Sequence, residues 1–141
     1  MSRIFWDTML FIYFFEDHPV YAERVQQLLD RSYRRGDRLF TSHLALGEMM
    51  ACTAHPAAPQ KMIAVRKDFE EMGFSLLPFD GGAVAPFSIL RAKERLKIAD
   101  SIHLACAASA GIDLFLTGDK QLTRLDVPGI QFIADFNSPI L

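Results

Sequence analysis

Lys97-Ile-Ala-Asp-Ser-Ile-His-Leu-Ala-Cys-Ala-Ala-Ser-Ala-Gly-Ile-Asp-Leu-Phe-Leu-Thr-Gly-Asp-Lys120 is the stretch whose reading decides the fold. From Ile98 to Ala110 small and apolar residues continue all round, the pattern of a helix buried on most sides. Gly111 suits the end of such a helix. Leu114 to Leu116 is a short, fully apolar run of the kind a parallel sheet buries on both faces. Two acids stand at the edges of these elements: Asp100 opens the helix, and Asp119 closes the strand after Thr117-Gly118. Polar side chains at the carboxyl edge of a buried strand lie where open α/β sheets build their sites.

The rest of the chain repeats the alternation. Arg3 to Trp6 reads as a strand, followed by Asp7-Thr8 and the apolar run Met9 to Phe15. Asp7 suits a helix N-cap as well as a site. Val20 to Tyr33 is amphipathic, with Val25, Leu28 and Leu29 between charges. Arg38 to Thr41 is a second strand, and Ser42 is placed to cap a helix over Leu44 to Ala54 that carries Glu48 beside apolar residues. A carboxylate there needs a reason, because burying it unpaired is costly. Beyond a loop bracketed by Pro56 and Pro59, a helix over Gln60 to Met72 leads to a strand over Gly73 to Phe79. Asp80-Gly81-Gly82 has the chemistry of a turn and cap before a helix over Ala83 to Leu96, which places Asp80 outside the site. A short helix from Lys120 to Leu125, a strand over Gln131 to Ala134 and a loose, proline-broken tail complete the chain.

The 141 residues, half of them apolar, are expected to form one domain over 1–141. Cys52 and Cys106 fall among small apolar residues and read as reduced core thiols, which points to the cytoplasm. No run reaches the roughly 18 to 20 apolar residues of a membrane span. Fifteen Lys and Arg against seventeen Asp and Glu leave a formal charge of −2, so overall charge gives no support to non-specific nucleic-acid binding. A polyanion would be held by local patches or by metal. Arg31, Arg34, Arg35 and Arg38 read first as a solvated helix end. Arg95, Lys97 and Lys120 lie near the acids by connectivity and are the candidates for contact with such a polyanion.

Strands alternating with helices imply a parallel α/β sheet whose strand ends gather on one edge. On that edge Asp7, Glu48, Asp100 and Asp119 can converge. Four ionised carboxylates raise one another's pKa, and a divalent cation resolves the conflict. All-oxygen ligation suits Mg²⁺ or Mn²⁺, and such an ion suits phosphodiester hydrolysis. His103 shares a helix face with Asp100, yet a buried histidine with satisfied ring nitrogens is commoner than one mixed into a hard carboxylate site. His18, His43 and His55 form no cluster.

Taken together, Phe5-Trp-Asp-Thr8, Ala45-Leu-Gly-Glu48, Ala99-Asp-Ser-Ile-His-Leu-Ala105 and Leu116-Thr-Gly-Asp-Lys120 resemble the PIN-domain nucleases, particularly the VapC-type toxins of bacterial toxin–antitoxin pairs. The resemblance runs in order over nearly the whole chain. It implies a three-layer α/β/α sandwich around a mainly parallel sheet, and Mg²⁺- or Mn²⁺-dependent endoribonuclease activity. By the same likeness Asp7, Glu48, Asp100 and Asp119 match the metal-binding acids, Thr8 and Thr117 match supporting residues, and His103 is part of the helix. A cognate antitoxin and a homodimer are implied as partners, with an apolar groove at the aromatic run Phe11 to Phe15 to receive one of them. Met9 and Gly118 depart from the family's common pattern, each removing a possible polar contact but no metal ligand.

Two other readings compete. One is a catalytically weak PIN-like module that acts through RNA or protein contacts; four retained acids tell against it. The other is a phosphoacceptor receiver domain, which wants a pair of acids after its first strand, where this chain has only Asp7.

Overall fold

The computed structural model describes residues 1–53 and 57–141. Five strands, β1 (Arg3–Trp6), β2 (Arg38–Ser42), β3 (Phe74–Leu77), β4 (Ile112–Thr117) and β5 (Ile130–Asp135), form one sheet in the order β3-β2-β1-β4-β5. Every neighbouring pair is parallel. The strands are short and apolar on both faces because helices cover both faces. Alternation along β1 decides the layers: Ile4 and Trp6 enter one core with α1 (Thr8–Phe15), α2 (Ala22–Arg35), α3 (His43–Ala51) and α4 (Pro59–Glu71). Phe5 enters the other with α5 (Gly81–Ala92) and α6 (Ile98–Ala110). In that second core Phe5 stacks on Phe115 of β4 with ring centroids 4.8 Å apart. Among the described residues no helix is long and apolar enough to cross a membrane.

The expected α/β/α sandwich is therefore the observed one, with local corrections. Asp100 is the third residue of α6, and Lys97 holds the cap position. The helix expected to reach Leu96 ends at Ala92, and Arg95 beyond it takes a left-handed φ of 55°. The last short helix is one 3-10 turn, Leu122–Arg124. Ala54, His55 and Pro56, the expected end of α3 and the start of its loop, lie outside the described residues.

The tail is not loose. Arg24 of α2 donates to the carbonyls of Phe136, Ser138 and Ile140, and Arg31 donates to that of Leu141. A guanidinium has five donors in a fixed fork, which lets one side chain hold several turns of irregular chain. Two more of the basic cluster are engaged locally: Arg35 pairs with Asp37 at 2.9 Å, and Arg38 stands over the Phe40 ring. Cys106 is buried as expected, with burial pushing its thiol up to about 11. Cys52 is exposed, contrary to expectation, because it sits just past the end of α3, where the helix leaves the core.

Candidate active site

Asp7 follows β1 and Thr117 ends β4, and these strands pair in register, Trp6 beside Leu116. The chain builds β2 and β3 on one side of β1, then crosses to the other side for β4. Strand order reverses there, and parallel sheets leave a crevice open at such a switch point. The crevice is a cleft of about 390 Å³, lined by Asp7, Glu48, Asp100 and Asp119 together with Thr8, Lys97 and His103. The four acids come from four different segments: the end of β1, the middle of α3, the first turn of α6 and the loop after β4.

Asp7 does two jobs at once. Its Oδ1 caps α1 by accepting from the Thr8 N–H at 2.8 Å, and its Oδ2 accepts from the Thr117 hydroxyl at 2.8 Å. Thr117 Oγ1 in turn accepts from the Asp119 N–H at 3.1 Å, so one buried hydroxyl ties the first acid to the last. The cap and site readings of Asp7 were never exclusive.

Glu48 is held by two groups. Thr8 Oγ1 donates to its Oε1 at 2.7 Å, and His103 Nε2 lies 2.6 Å from the same oxygen. The His103 bond is the main reason its carboxyl sits below the usual range; burial opposes this, and the Thr8 bond assists it. His103 Nδ1 faces the Ser42 hydroxyl at 2.7 Å. A tautomer with the proton on Nε2 satisfies both contacts: Nε2–H donates to Glu48 and Nδ1 accepts from Ser42. His103 is thus a buried positioning residue with both nitrogens used. Ser42, expected to cap α3, makes no side-chain cap bond there and orients the histidine instead. Sixty-one residues separate that pair, and no local pattern announces it.

Asp100 has the opposite environment. Burial first, then Asp7 and Asp119, push its carboxyl up, and no hydrogen-bond donor reaches that carboxylate among the described residues. Among those residues no three acidic, His or Cys side chains already gather around one point as a finished metal cage. The donor set still fits a hard divalent cation. It offers carboxylate oxygens only, in a cleft whose negative charges oppose one another, and a cation is what relieves that opposition.

Asp80 lies elsewhere, capping α5 by accepting from the Gly82 N–H at 3.1 Å. Of the cations named from sequence, Lys97 lines the cleft and Lys120 lines the pocket beside it. Arg95 is exposed and lines neither pocket. A more apolar cavity of about 280 Å³ lies between α5 and the segment before β5; none of the four acids lines it.

Carboxylates gathered at the switch point of a five-stranded parallel sheet define the class: an α/β protein with an acidic site. The chain belongs to the PIN domain family, whose model matches residues 4–128. Among solved structures it is similar to a chain of VapBC2 from Rickettsia felis bound to a DNA fragment from their promoter, with TM-score 0.72 and 12% identity over 94% of this chain and 97% of that one. It is also similar to a chain of DNA-bound VapBC from Salmonella typhimurium, with TM-score 0.71 and 21% identity over 96% and 99%. A toxin–antitoxin complex from Klebsiella pneumoniae gives TM-score 0.61 and 18% identity over 92% and 95%. No curated protein matches the chain in sequence. At these identities the structural likenesses establish the fold.

Proposed function

We propose that the chain is a divalent-metal-dependent endoribonuclease, the toxin of a toxin–antitoxin pair, acting in the cytoplasm. The observation that carries this reading is the convergence of Asp7, Glu48, Asp100 and Asp119 on one cleft at the sheet's switch point. These four would hold Mg²⁺ or Mn²⁺. When bound, such an ion orients a phosphate, activates water and offsets the charge that develops during phosphodiester hydrolysis. The chain's own residues set the stage. Thr8 and Thr117 fix the Asp7 carboxylate, His103 and Thr8 keep Glu48 ionised and aimed, and Lys97 stands at the cleft to meet a phosphate. Incubating the protein with total RNA and Mg²⁺ or Mn²⁺ tests the reading: cleavage that EDTA stops supports it, and intact RNA under both metals contradicts it.

Two expected results follow from the site. Replacing His103 with Leu removes the group that orients Glu48, and outer partners of metal-site ligands typically contribute about 10- to 100-fold; the rate should fall by that factor, with His103→Gln recovering part of it. Lys97→Ala should weaken RNA binding about equally for all sequences. It should also lower the slope of log affinity against log salt by roughly 0.7, the contribution of one phosphate contact on a single strand. Arg95→Ala, outside the cleft, should change the slope less.

The partner reading rests on the surface beside the site. Phe11 enters the core and stacks on Phe69 of α4 with centroids 4.4 Å apart. Tyr13 and Phe14 are half-buried, and Phe15 and Met62 remain 38% and 47% exposed. Met62 continues the α4 face that carries Val65 and Phe69. An antitoxin segment covering this apolar strip, and a second copy of the chain, are the partners we assign. Light scattering that shows a strict monomer at micromolar concentration contradicts the second.

A further inference from the structure

The acidic cleft has an apolar wall as well as its acids. Met9 and Ile12 of α1, Ala51 and Cys52 at the end of α3, and Ala99 of α6 line the same cavity of about 390 Å³. Met9 is 40% exposed, whereas Leu10 and Phe11 directly after it are fully buried. A lone exposed methionine would mean little. This one is one helical turn from Ile12, on the same face, and the two are continuous with the other apolar residues of the cavity.

The chain holds this wall close to the acids. Two peptide steps of about 3.8 Å each separate Met9 from Asp7, Ala51 lies one turn after Glu48, and Ala99 adjoins Asp100. A cavity of this size, near the lower end of ligand sites, has room for about one nucleotide. A phosphate at the acids therefore brings its own sugar and base to the wall.

We infer that Met9 is a substrate-binding residue: with Ile12 it holds the base of the nucleotide at the acids, by an apolar contact that accepts purines and pyrimidines alike. The inference rests on the nuclease reading and deepens it. The polar side chains of the cleft have other work. Thr8 Oγ1 donates to Glu48, and His103 uses its two ring nitrogens on Glu48 and Ser42, so neither offers a free donor to a base edge. Lys97 is a point charge suited to phosphate. What the cleft presents to a base is thioether and aliphatic surface. A thioether is soft and flexible, makes favourable contacts with aromatic rings and adapts to partners of different outline. Every base offers such a ring. Selection among RNA sequences then falls to contacts outside the cleft.

The test uses protein carrying Asp100→Asn with Mg²⁺ present, so that RNA is bound without being cut. The probes are fluorescein-labelled ten-nucleotide oligouridine, oligocytidine and oligoadenosine, and an abasic ribose-phosphate strand of the same length and charge. Uniform strands make the register of binding immaterial. The three base-bearing strands should bind within about threefold of one another, and the abasic strand about tenfold more weakly, in the lower part of the range for a base held by its face. Adding Met9→Ser should weaken the three by about fivefold and leave the abasic strand within about twofold. Adding Met9→Leu instead, which keeps the apolar volume, should leave all four within about twofold.

Abasic binding equal to oligouridine binding, or a contrast between them that Met9→Ser leaves untouched, overturns the inference and assigns the wall to a protein partner. A preference above about tenfold for one base-bearing strand overturns it too, because selection of that size needs hydrogen bonds to a base edge. Cleavage by protein with Asp100 intact separates the two readings. Cutting of the base-bearing strands at rates that Met9→Ser does not change removes the wall and leaves the nuclease. A Met9-dependent preference for base over abasic strand, in a protein that cuts nothing, keeps the wall and removes the nuclease.

Discussion

Asp7→Asn and Asp100→Asn should each reduce RNA hydrolysis by roughly 100-fold or more, the effect of losing several kcal/mol of metal-assisted stabilisation, while the protein stays folded. At Asp7 the amide oxygen can still accept from the Thr8 N–H and keep the cap, and the Thr117 hydroxyl can turn to accept from the new NH₂. At Asp100 the substitution removes a charge that the metal-free fold does not favour. Its carboxyl is pushed up by burial, Asp7 and Asp119, so it stabilises the fold only when protonated, and that contribution is lost as pH rises above about 4. In EDTA at pH 7, Asp100→Asn should therefore melt no lower than the parent, and the difference should shrink as pH falls towards about 4. Glu48, held below its usual range, has the opposite sign. Glu48→Gln should cost stability at neutral pH and little in acid. Asp80→Asn, away from the cleft, should leave hydrolysis within about twofold of the parent, as surface changes away from such features usually do. Full activity in either Asp7→Asn or Asp100→Asn contradicts the site; so does an equal loss in Asp80→Asn.

Gly129→Ala should be the most damaging conservative change to stability. Gly129 has φ 99° in the connection that leads to β5, a conformation L side chains rarely adopt. A Cβ there would stand 2.4 Å from the Ala108 carbonyl oxygen of α6, and backbone cannot swing aside as a side-chain tip can. Strain and overpacking together should cost about 3 to 5 kcal/mol, read as a drop in Tm on the order of 10 °C or more. Because α6 carries Asp100 and His103, activity should fall before the melt, with loosened geometry in the cleft. A melting temperature within about 2 °C of the parent would mean the connection can shift at little cost. Gly36→Ala makes the control: its φ is 71° and nothing lies within 4 Å, so only the milder left-handed strain of about 1 kcal/mol applies.

The sequence by itself determined which segments are strands and helices, and which acids end them. Leu114 to Leu116 had to be buried on both sides, Asp7 had to follow a strand, and Asp100 and Asp119 had to lie within a turn of a helix start and a strand end, because these facts follow from apolar pattern and turn chemistry within a few residues. The order of acids along the chain also carried the family resemblance that the match over residues 4–128 establishes. Only the tertiary structure decided which strand lies beside which. The pairing of β4 with β1 makes a switch point out of two segments more than a hundred residues apart. It likewise decided that Ser42 serves His103 and not its own helix, that Arg24 ties down the tail, and that Cys52 faces solvent. The reason is physical. Periodicity states which face of an element avoids water, but water is excluded equally well by any apolar partner, so the choice of partner, and every polar contact made across it, is settled only when all the elements pack together.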